Sequence, residues 1–523
     1  MEKVVNKPWL QWMTERPTST ESSRSIYNLL ENTAATYPER TAIIFQDELI
    51  TYSSLKKSVD KLAGKWRQSG LKKGDRIGLM MANHPLYIIT YYAAHALGLL
   101  VVQVNPLYTT RELMRIIEDS HMQYMVFDKT ASTTVQLVSK EYTFTQCFTI
   151  ENEQEELVSI YSLIESGAEI QTVETINPDE DVAVIQYTGG TGGEMKGVML
   201  THSNLTSNVA QGFEMYGKEI TEEEVILTAT PLYHVYAMTS AMNLGIYIGA
   251  AILLIPTFDV RNVLENIQKY KPSFFPGVPK MYNALISYPD VHQYDLSCLK
   301  NCTCGSAPLP IEIIKRFKQL TGVVIAEGFG LSEASPTTHR NPPVGNPKIG
   351  SIGIPIRDTD CKIIDENGQA LGCNLVGELL IKGPQIMKGY LNNASETKKV
   401  LQNGWLHTGD LALMDEDGYF FIVGRKKELI IIDGFNIYPQ EIEEVLYEFP
   451  GIQEVAVIGV QKSNTEELVK AFIVPKEDTT LDMDAIIEYC YLKLTRYKVP
   501  KQFEIIGELP RNTVGKVLKR LLT

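Results

Sequence analysis

Hydrophobic and polar positions alternate in two registers along most of this chain. Over residues 54–67 the apolar positions recur every three to four residues, the period of a helix with one buried face. Residues 76–81 form a short apolar run of the kind that makes a buried strand. The helical period returns over 112–120 and a strand over 124–127. Further strands are predicted at 182–187, 225–229, 251–255 and 323–326. This alternation predicts layered α/β structure with parallel sheets. The longest apolar stretch, from Leu86 to Val104, is split by Gly98 into a helix (86–97) and a β-branched strand (99–104). Thr90, His95 and Gln103 within it argue against a membrane span. A second apolar stretch, 244–255, is too short to cross a bilayer and ends at Pro256.

The texture changes near residue 351. Short strands at 361–364 and 377–381, with the turn Glu366-Asn367-Gly368 between them, predict a β-rich subdomain spanning about 345–424. A further boundary falls at Gly424-Arg425-Lys426-Lys427-Glu428. Beyond it come a helix (439–448), strands (455–460 and 469–475) and a helix (481–494). The expected fold class is therefore α/β. A large N-terminal domain of layered α/β subdomains, with the β-rich subdomain, fills 1–424. A hinge at 425–428 then joins a small mobile α+β domain, 429–523.

Composition narrows the function classes. The 523 residues are 44% hydrophobic and 21% charged, a globular balance. Forty-nine basic against 63 acidic residues give a net charge of −14. That argues against a nucleic-acid partner, and an anionic substrate would need a local cluster of cations. Seven cysteines in this length do not make a disulfide scaffold, which points to a reducing cytoplasm. Cys298, Cys302 and Cys304 have no zinc-pair spacing and read as core and loop residues. The N-terminal stretch has no signal-peptide core. Trp9 and Trp12 are expected to pack under the first helix, with contact at the inner face of the membrane as the alternative.

The densest chemistry lies in Tyr187-Thr188-Gly189-Gly190-Thr191-Gly192-Gly193-Glu194-Met195-Lys196-Gly197, directly after a predicted strand. Glycines let backbone N–H groups converge on phosphate oxygens, hydroxyls donate, and Lys196 supplies charge. It is not a Walker A loop, because Met195 precedes Lys196 and Gly197 follows it.

This loop resembles the phosphate loop of the adenylate-forming acyl-CoA synthetase superfamily, in the variant seen in fatty acyl-CoA ligases. Gly192 stands where that family usually has a second threonine, and Met195 where proline is common. Other motifs of the same family follow in order. Thr230-Pro231-Leu232-Tyr233-His234 resembles the segment that gates the acid, and Gly305-Ser306-Ala307-Pro308 the loop packed on adenine. Glu327-Gly328-Phe329-Gly330-Leu331-Ser332-Glu333 resembles the motif that carries a stacking aromatic and a Mg2+ carboxylate. Gly404-Trp405-Leu406-His407-Thr408-Gly409-Asp410 matches the ribose-binding motif. Gly434-Phe435-Asn436-Ile437-Tyr438-Pro439 resembles the pantetheine loop, and Leu509-Pro510-Arg511-Asn512-Thr513-Val514-Gly515-Lys516 the C-terminal catalytic motif.

What the resemblance implies is specific. The catalytic set would be Lys516, Thr191, His234 and Glu333, with Glu333 holding Mg2+. ATP and CoA would be bound by Thr188, Gly189, Gly190, Thr191, Gly192, Gly193, Lys196, Gly305, Ser306, Ala307, Glu327, Gly328, Phe329, Gly330, Ser332, Asp410, Arg425, Lys427, Gly434 and Phe435. The implied activity is ATP-dependent fatty acid–CoA ligation through an acyl-AMP. An aryl acid of the hydroxycinnamate or benzoate type is the alternative substrate. A turnover-deficient acyl- and nucleotide-binding homologue is the alternative class, because Gly192 and Phe329 each remove a hydroxyl. The partners would be a small carboxylic acid, ATP and coenzyme A, on a cytoplasmic monomer or homodimer. Glycines at Gly245, Gly249 and Gly277, beside the apolar stretches 234–255 and 274–281, are expected to leave room for an alkyl tail.

Overall fold

The structure is a computed structural model. It describes residues 7–12, 24–151, 157–189, 195–216, 220–342, 347–432, 435–461, 467–477, 479–511 and 516–523. Two sheets organise the large N-terminal domain. One has eight strands, with Leu100–Gln103, Arg76–Met80, Tyr124–Phe127 and Gln146–Thr149 parallel at its centre. On one side Val182–Gly189 pairs parallel to Leu100–Gln103 and antiparallel to Met195–Thr201. The other sheet has nine strands. Its parallel core runs through Thr41–Phe45, Ala251–Leu254, Val225–Thr228, Phe274–Gly277, Asn301–Cys304 and Ala326–Gly330.

Strand periodicity decides which residues go where. In Thr41–Phe45, Ile43 and Phe45 join the central core while Ile44 faces the opposite side. In Leu100–Gln103, Val101 enters the central core and Val102 the outer one. Alternate residues pointing to opposite faces give each sheet two apolar faces, so each must be covered twice. The helices Ile26–Thr36, Tyr52–Gln68 and Pro85–Ala96 fill the space between the sheets. Pro85–Ala96 is buried at every position, as a helix apolar all round must be. Thr110–Ser120 covers the outer face of one sheet, and Val260–Tyr270, Pro279–Ser287 and Ile311–Thr321 cover the other. Gly98 breaks the long apolar stretch by adopting φ of 67°, where a side chain would be strained.

A third sheet, built on Asp360–Ile364, Gly377–Lys382, Trp405–Met414 and Phe420–Arg425, forms the β-rich part. A turn at Lys426–Glu428 leads to the smaller C-terminal domain. There Ile452–Gln461, Glu467–Pro475 and Gln502–Ile505 make a three-stranded sheet covered by Pro439–Tyr447 and Met483–Lys493.

Three sequence expectations are revised, and the strand expected at 251–255 forms. The strand expected at 323–326 forms instead at Ala326–Gly330, where Thr337–Arg340 provides an antiparallel partner. Gly330 permits that hairpin, since a Cβ there would sit 2.4 Å from the Pro336 carbonyl oxygen. Trp9 does not pack under the first helix. It is buried in the β-rich core, edge-on to Phe420 at 5.7 Å, while the indole N–H of half-exposed Trp12 donates to the Asp417 carbonyl at 2.8 Å. The apolar stretch 244–255 divides at Gly249 into Leu244–Ile248 and Ala251–Leu254. The three glycines do not open a tunnel. A Cβ at Gly245 would meet Ile252 at 3.0 Å, at Gly249 Tyr37 at 2.8 Å, and at Gly277 Tyr282 at 2.8 Å, so side chains already fill those spaces. Cys302 and Cys304 lie in the core of the nine-stranded sheet. Among the described residues no helix is long and apolar enough to cross a membrane.

Candidate active site

A cavity of about 850 Å³ opens where the carboxyl ends of strands from both sheets meet the C-terminal domain. Open α/β sheets place ligands at this position, because the loops leaving the strands diverge there. Gln103, Gln186, Thr188, Thr303 and Cys304 stand at these strand ends. The loop after Val225–Thr228 is held by Asn83. Its amide donates to the Thr230 and Ile255 carbonyls, both at 3.1 Å, and its oxygen accepts from the Leu232 N–H at 2.8 Å. That fixes His234, whose Nδ1 accepts from the Tyr236 N–H at 3.3 Å and starts a short helix. Burial, helped by the charge of Lys516, pushes the His234 pKa down to about 4. The ring is therefore neutral at pH 7. With Nδ1 accepting, its proton sits on Nε2, a donor suited to an acid's oxygen. The chain continues into a π-helical turn, Met238–Asn243, which turns Ser240 toward the cavity.

The strand Ala326–Gly330 contributes Gly328, Phe329 and Gly330, and the following turn Ser332 and Glu333. Glu333 accepts from the Tyr390 hydroxyl at 2.8 Å. Ser306 lines the same cavity, with φ of 71° and a buried hydroxyl that has no partner among the described residues. Asp410 and Arg425 face each other across the Trp405–Met414 and Phe420–Arg425 pair, Nε to Oδ1 at 3.1 Å. The second Asp410 oxygen is buried without a partner among the described residues, and desolvation pushes this carboxyl above its ordinary pKa. Lys516 reaches into the same cavity from the C-terminal domain. Burial, then Arg425, lowers its pKa, while Asp410, Glu428 and Glu333 oppose the shift.

The cavity thus brings together Thr188, His234, Gly305, Ser306, Gly328, Phe329, Gly330, Ser332, Glu333, Arg425 and Lys516 from the motifs. Asp410 sits behind Arg425. Lys196 does not line the cavity. Its ammonium pairs with Glu396 at 2.5 Å and lies 5.1 Å from the Tyr390 ring. Ala307 and Glu327 also lie outside the lining; the Glu327 carboxylate accepts instead from the Leu309 N–H at 3.3 Å. Lys427 is exposed in its turn, and Phe435, 53% exposed, stacks on Tyr497 at 4.7 Å, away from the cavity. Gly189 ends its strand, and Gly190, Thr191, Gly192, Gly193 and Gly434 fall outside the described residues.

Several lining residues belong to no motif assignment. Arg111 and Arg115 lie one turn apart on Thr110–Ser120, a helix started by the Thr109–Glu112 capping box; their i,i+4 spacing marks one face. With Arg340, Arg425, Arg511, Lys516 and Arg520 they make seven cations lining one cavity of a chain whose net charge is −14. This is the local cluster that an anionic substrate requires. The donor set also fits a magnesium nucleotide. Among the described residues no group of three metal ligands occurs, and Mg2+ is commonly held by one carboxylate plus substrate phosphates, which is what Glu333 offers.

Comparison with known proteins accords with this geometry. Residues 30–391 match the AMP-binding enzyme family and 441–516 the AMP-binding enzyme C-terminal domain. The long-chain-fatty-acid–CoA ligase of Bacillus subtilis is 40% identical over 99% of this chain and 97% of its own length. A feruloyl-CoA synthase of Amycolatopsis is 32% identical over 92% and 95%. The solved structure of ATP-bound MatB from Rhodopseudomonas palustris superposes with a TM-score of 0.87 at 28% identity, covering 95% of this chain and 98% of that one. The chain belongs to the AMP-binding enzyme family, whose N-terminal and C-terminal domains it carries in order.

Proposed function

We propose that this chain is an ATP-dependent fatty acid–CoA ligase. A carboxylate attacks the α-phosphate of ATP, releasing pyrophosphate and leaving an acyl-AMP. The thiol of CoA then attacks the mixed anhydride, giving acyl-CoA and AMP. The observation that carries this reading is the placement of Lys516, from the far end of the chain, beside His234, Glu333 and the Asp410–Arg425 pair. The first step brings two anions together, so positioning and charge neutralisation dominate its barrier. Lys516 would neutralise the attacking centre, the Nε2 proton of His234 would orient the acid, and the second Asp410 oxygen would accept from the ribose. Glu333 would hold Mg2+, which would supply positive charge against the phosphates.

CoA must reach the centre that Lys516 occupies. A rotation of the small domain about 425–428 would withdraw Lys516 and bring residues 434–439 in its place. Supporting it, Lys427 is exposed in the connecting turn, and Phe435 stands away from the cavity while Lys516 is in it.

A panel of aliphatic and aromatic acids, scored for AMP release with and without CoA, tests the proposal. Fatty acids should drive both ATP–pyrophosphate exchange and CoA-dependent AMP release. Exchange driven only by hydroxycinnamates or benzoates would replace the aliphatic reading with the aryl one, and nucleotide binding without exchange would sink the ligase assignment.

A further inference from the structure

The Gly-rich loop leads to a cation that the cavity does not receive. Lys196 lies on the strand Met195–Thr201, directly across from Thr188, which lines the cavity. Residues opposite each other in an antiparallel pair share a face, so the Lys196 side chain leaves the backbone on the side of Thr188. It then turns to Glu396, its ammonium 2.5 Å from Oε1, and the two side chains are only 21% and 23% exposed. Glu396 is built into this contact. It is the third residue of the helix Ala394–Val400, where its backbone N–H is capped by the Asn393 side chain at 3.0 Å. Its second oxygen takes Lys399, 72% exposed, at 3.0 Å. Hydrogen bonds from Lys196 and then Lys399 hold its carboxyl below the ordinary pKa, so it is ionised at neutral pH. The cavity is close by. The Tyr390 ring centre lies 5.1 Å from the Lys196 ammonium, and the Tyr390 hydroxyl donates at 2.8 Å to Glu333, on the cavity wall. One tyrosine side chain thus separates the ammonium from the cavity, a gap that lysine's flexible four-carbon stem can cross by changing rotamers.

We propose that Glu396 is a counter-ion that the outer phosphates of ATP displace from Lys196. A polyphosphate entering beside Thr188 takes the ammonium, and Glu396 keeps Lys399. The exchange is charge for charge, so the part-buried ammonium is never left without an anion. Affinity for ATP is then set by a competition inside the protein. AMP, which lacks the outer phosphates, takes no part in it. Pyrophosphate leaves more readily because Glu396 reclaims the lysine. The inference rests on the ligase reading and deepens it. Glu396 is a positioning residue here and touches neither the acid nor the reacting phosphorus.

The test measures ATP and AMP binding to the intact chain by calorimetry, beside the KM for pyrophosphate in exchange. Glu396→Gln keeps the shape and removes the charge. It should tighten ATP roughly 3- to 10-fold, the scale of a part-buried ion pair that no longer competes, and lower the KM for pyrophosphate by a similar factor. AMP binding should not move. Lys399→Met should act in the opposite direction, weakening ATP about 2-fold, because Glu396 is then left to Lys196 alone. In a Lys196→Met background, Glu396→Gln should have no effect on ATP. This cycle separates competition for the ammonium from a general loss of negative charge near the cavity. Unchanged or weaker ATP binding in Glu396→Gln would overturn the proposal, and so would a gain that persists without Lys196. Exchange that runs normally beside a failed cycle sinks only this inference. ATP binding that obeys the cycle, with no acid able to drive exchange, sinks the ligase reading and leaves the competition standing.

Discussion

Asp410→Asn separates nucleotide recognition from folding. One oxygen of Asp410 is held by Arg425 at 3.1 Å, and the other is buried without a partner among the described residues. Asparagine keeps the shape and can keep its oxygen toward Arg425, but it turns an N–H2 group toward the ribose. The loss is then one charge-assisted acceptor, about 1.5–3 kcal/mol, or roughly 10- to 150-fold in kcat/KM for ATP. Stability should move little. The Asp410 side chain is 4% exposed and desolvation already opposes its ionised form, so neutralising it relieves a cost. The Arg425 side chain is 35% exposed and can be hydrated when the partner charge is gone, so the change should stay within about 1 kcal/mol. ATP–pyrophosphate exchange and urea unfolding measure the two quantities. Exchange with 2′-deoxy-ATP closes a cycle: if Asp410 accepts from a ribose hydroxyl, removing the hydroxyl and the carboxylate together should cost less than the sum of the two. A well-folded variant with wild-type kcat/KM for ATP, or strictly additive losses, would refute the assignment.

Lys516→Ala should lower fatty acid-dependent exchange by about 10²–10³, the usual scale for a preorganised donor. It should still convert supplied acyl-AMP and CoA to acyl-CoA; equal loss of both half-reactions would end the division of labour between the two domain positions. Glu327 gives a pH prediction. Burial first, with the nearby Glu444 charge, pushes its pKa up to about 8 against an ordinary value of 4.5. Between those limits the folded state holds a proton that the unfolded chain has lost, so this group's contribution to stability falls as pH rises, by at most about 1.4 kcal/mol per pH unit. The stability of Glu327→Gln relative to wild type should therefore climb from pH 5 to pH 8 and then level; a flat difference in urea unfolding across that range would show that Glu327 ionises normally.

The order of helices and strands was legible because local periodicity survives in the finished fold. Residues 124–127 read as a strand and are one, and the helix read at 112–120 begins only two residues earlier, at Thr110, directly after its cap Thr109. The strand Ala326–Gly330 was displaced because its sequence, rich in glycine, has little intrinsic strand character; pairing with Asn301–Cys304 and Thr337–Arg340 makes it one. Trp9 shows the other limit. Its partner Phe420 lies more than four hundred positions away, and nothing local to Trp9 distinguishes that core from the one under the first helix. The motif residues were legible as types, but their directions were not. Lys196 turns to Glu396, two hundred positions on, and Glu327 turns to the Leu309 N–H. Asn83, which holds the His234 loop, and Arg340, at the end of a short strand, carry no spacing signal at all.

The cavity's charge has a consequence for the proposed rotation. Of the seven lining cations, Arg111, Arg115 and Arg340 come from the N-terminal layers, and Arg425 ends the β-rich sheet. Arg511, Lys516 and Arg520 come from the last stretch of the chain. Any movement that withdraws Lys516 carries Arg511 and Arg520 with it. Three of the seven cations that gather a polyanion into the cavity, the one that neutralises the attacking centre among them, therefore leave together. Pyrophosphate would lose part of its attraction at the same moment that space opens for the thiol. One rigid-body displacement would thus serve both product release and the second half-reaction, with the sequence distance between Arg111 and Arg520 bridged only while the small domain is docked.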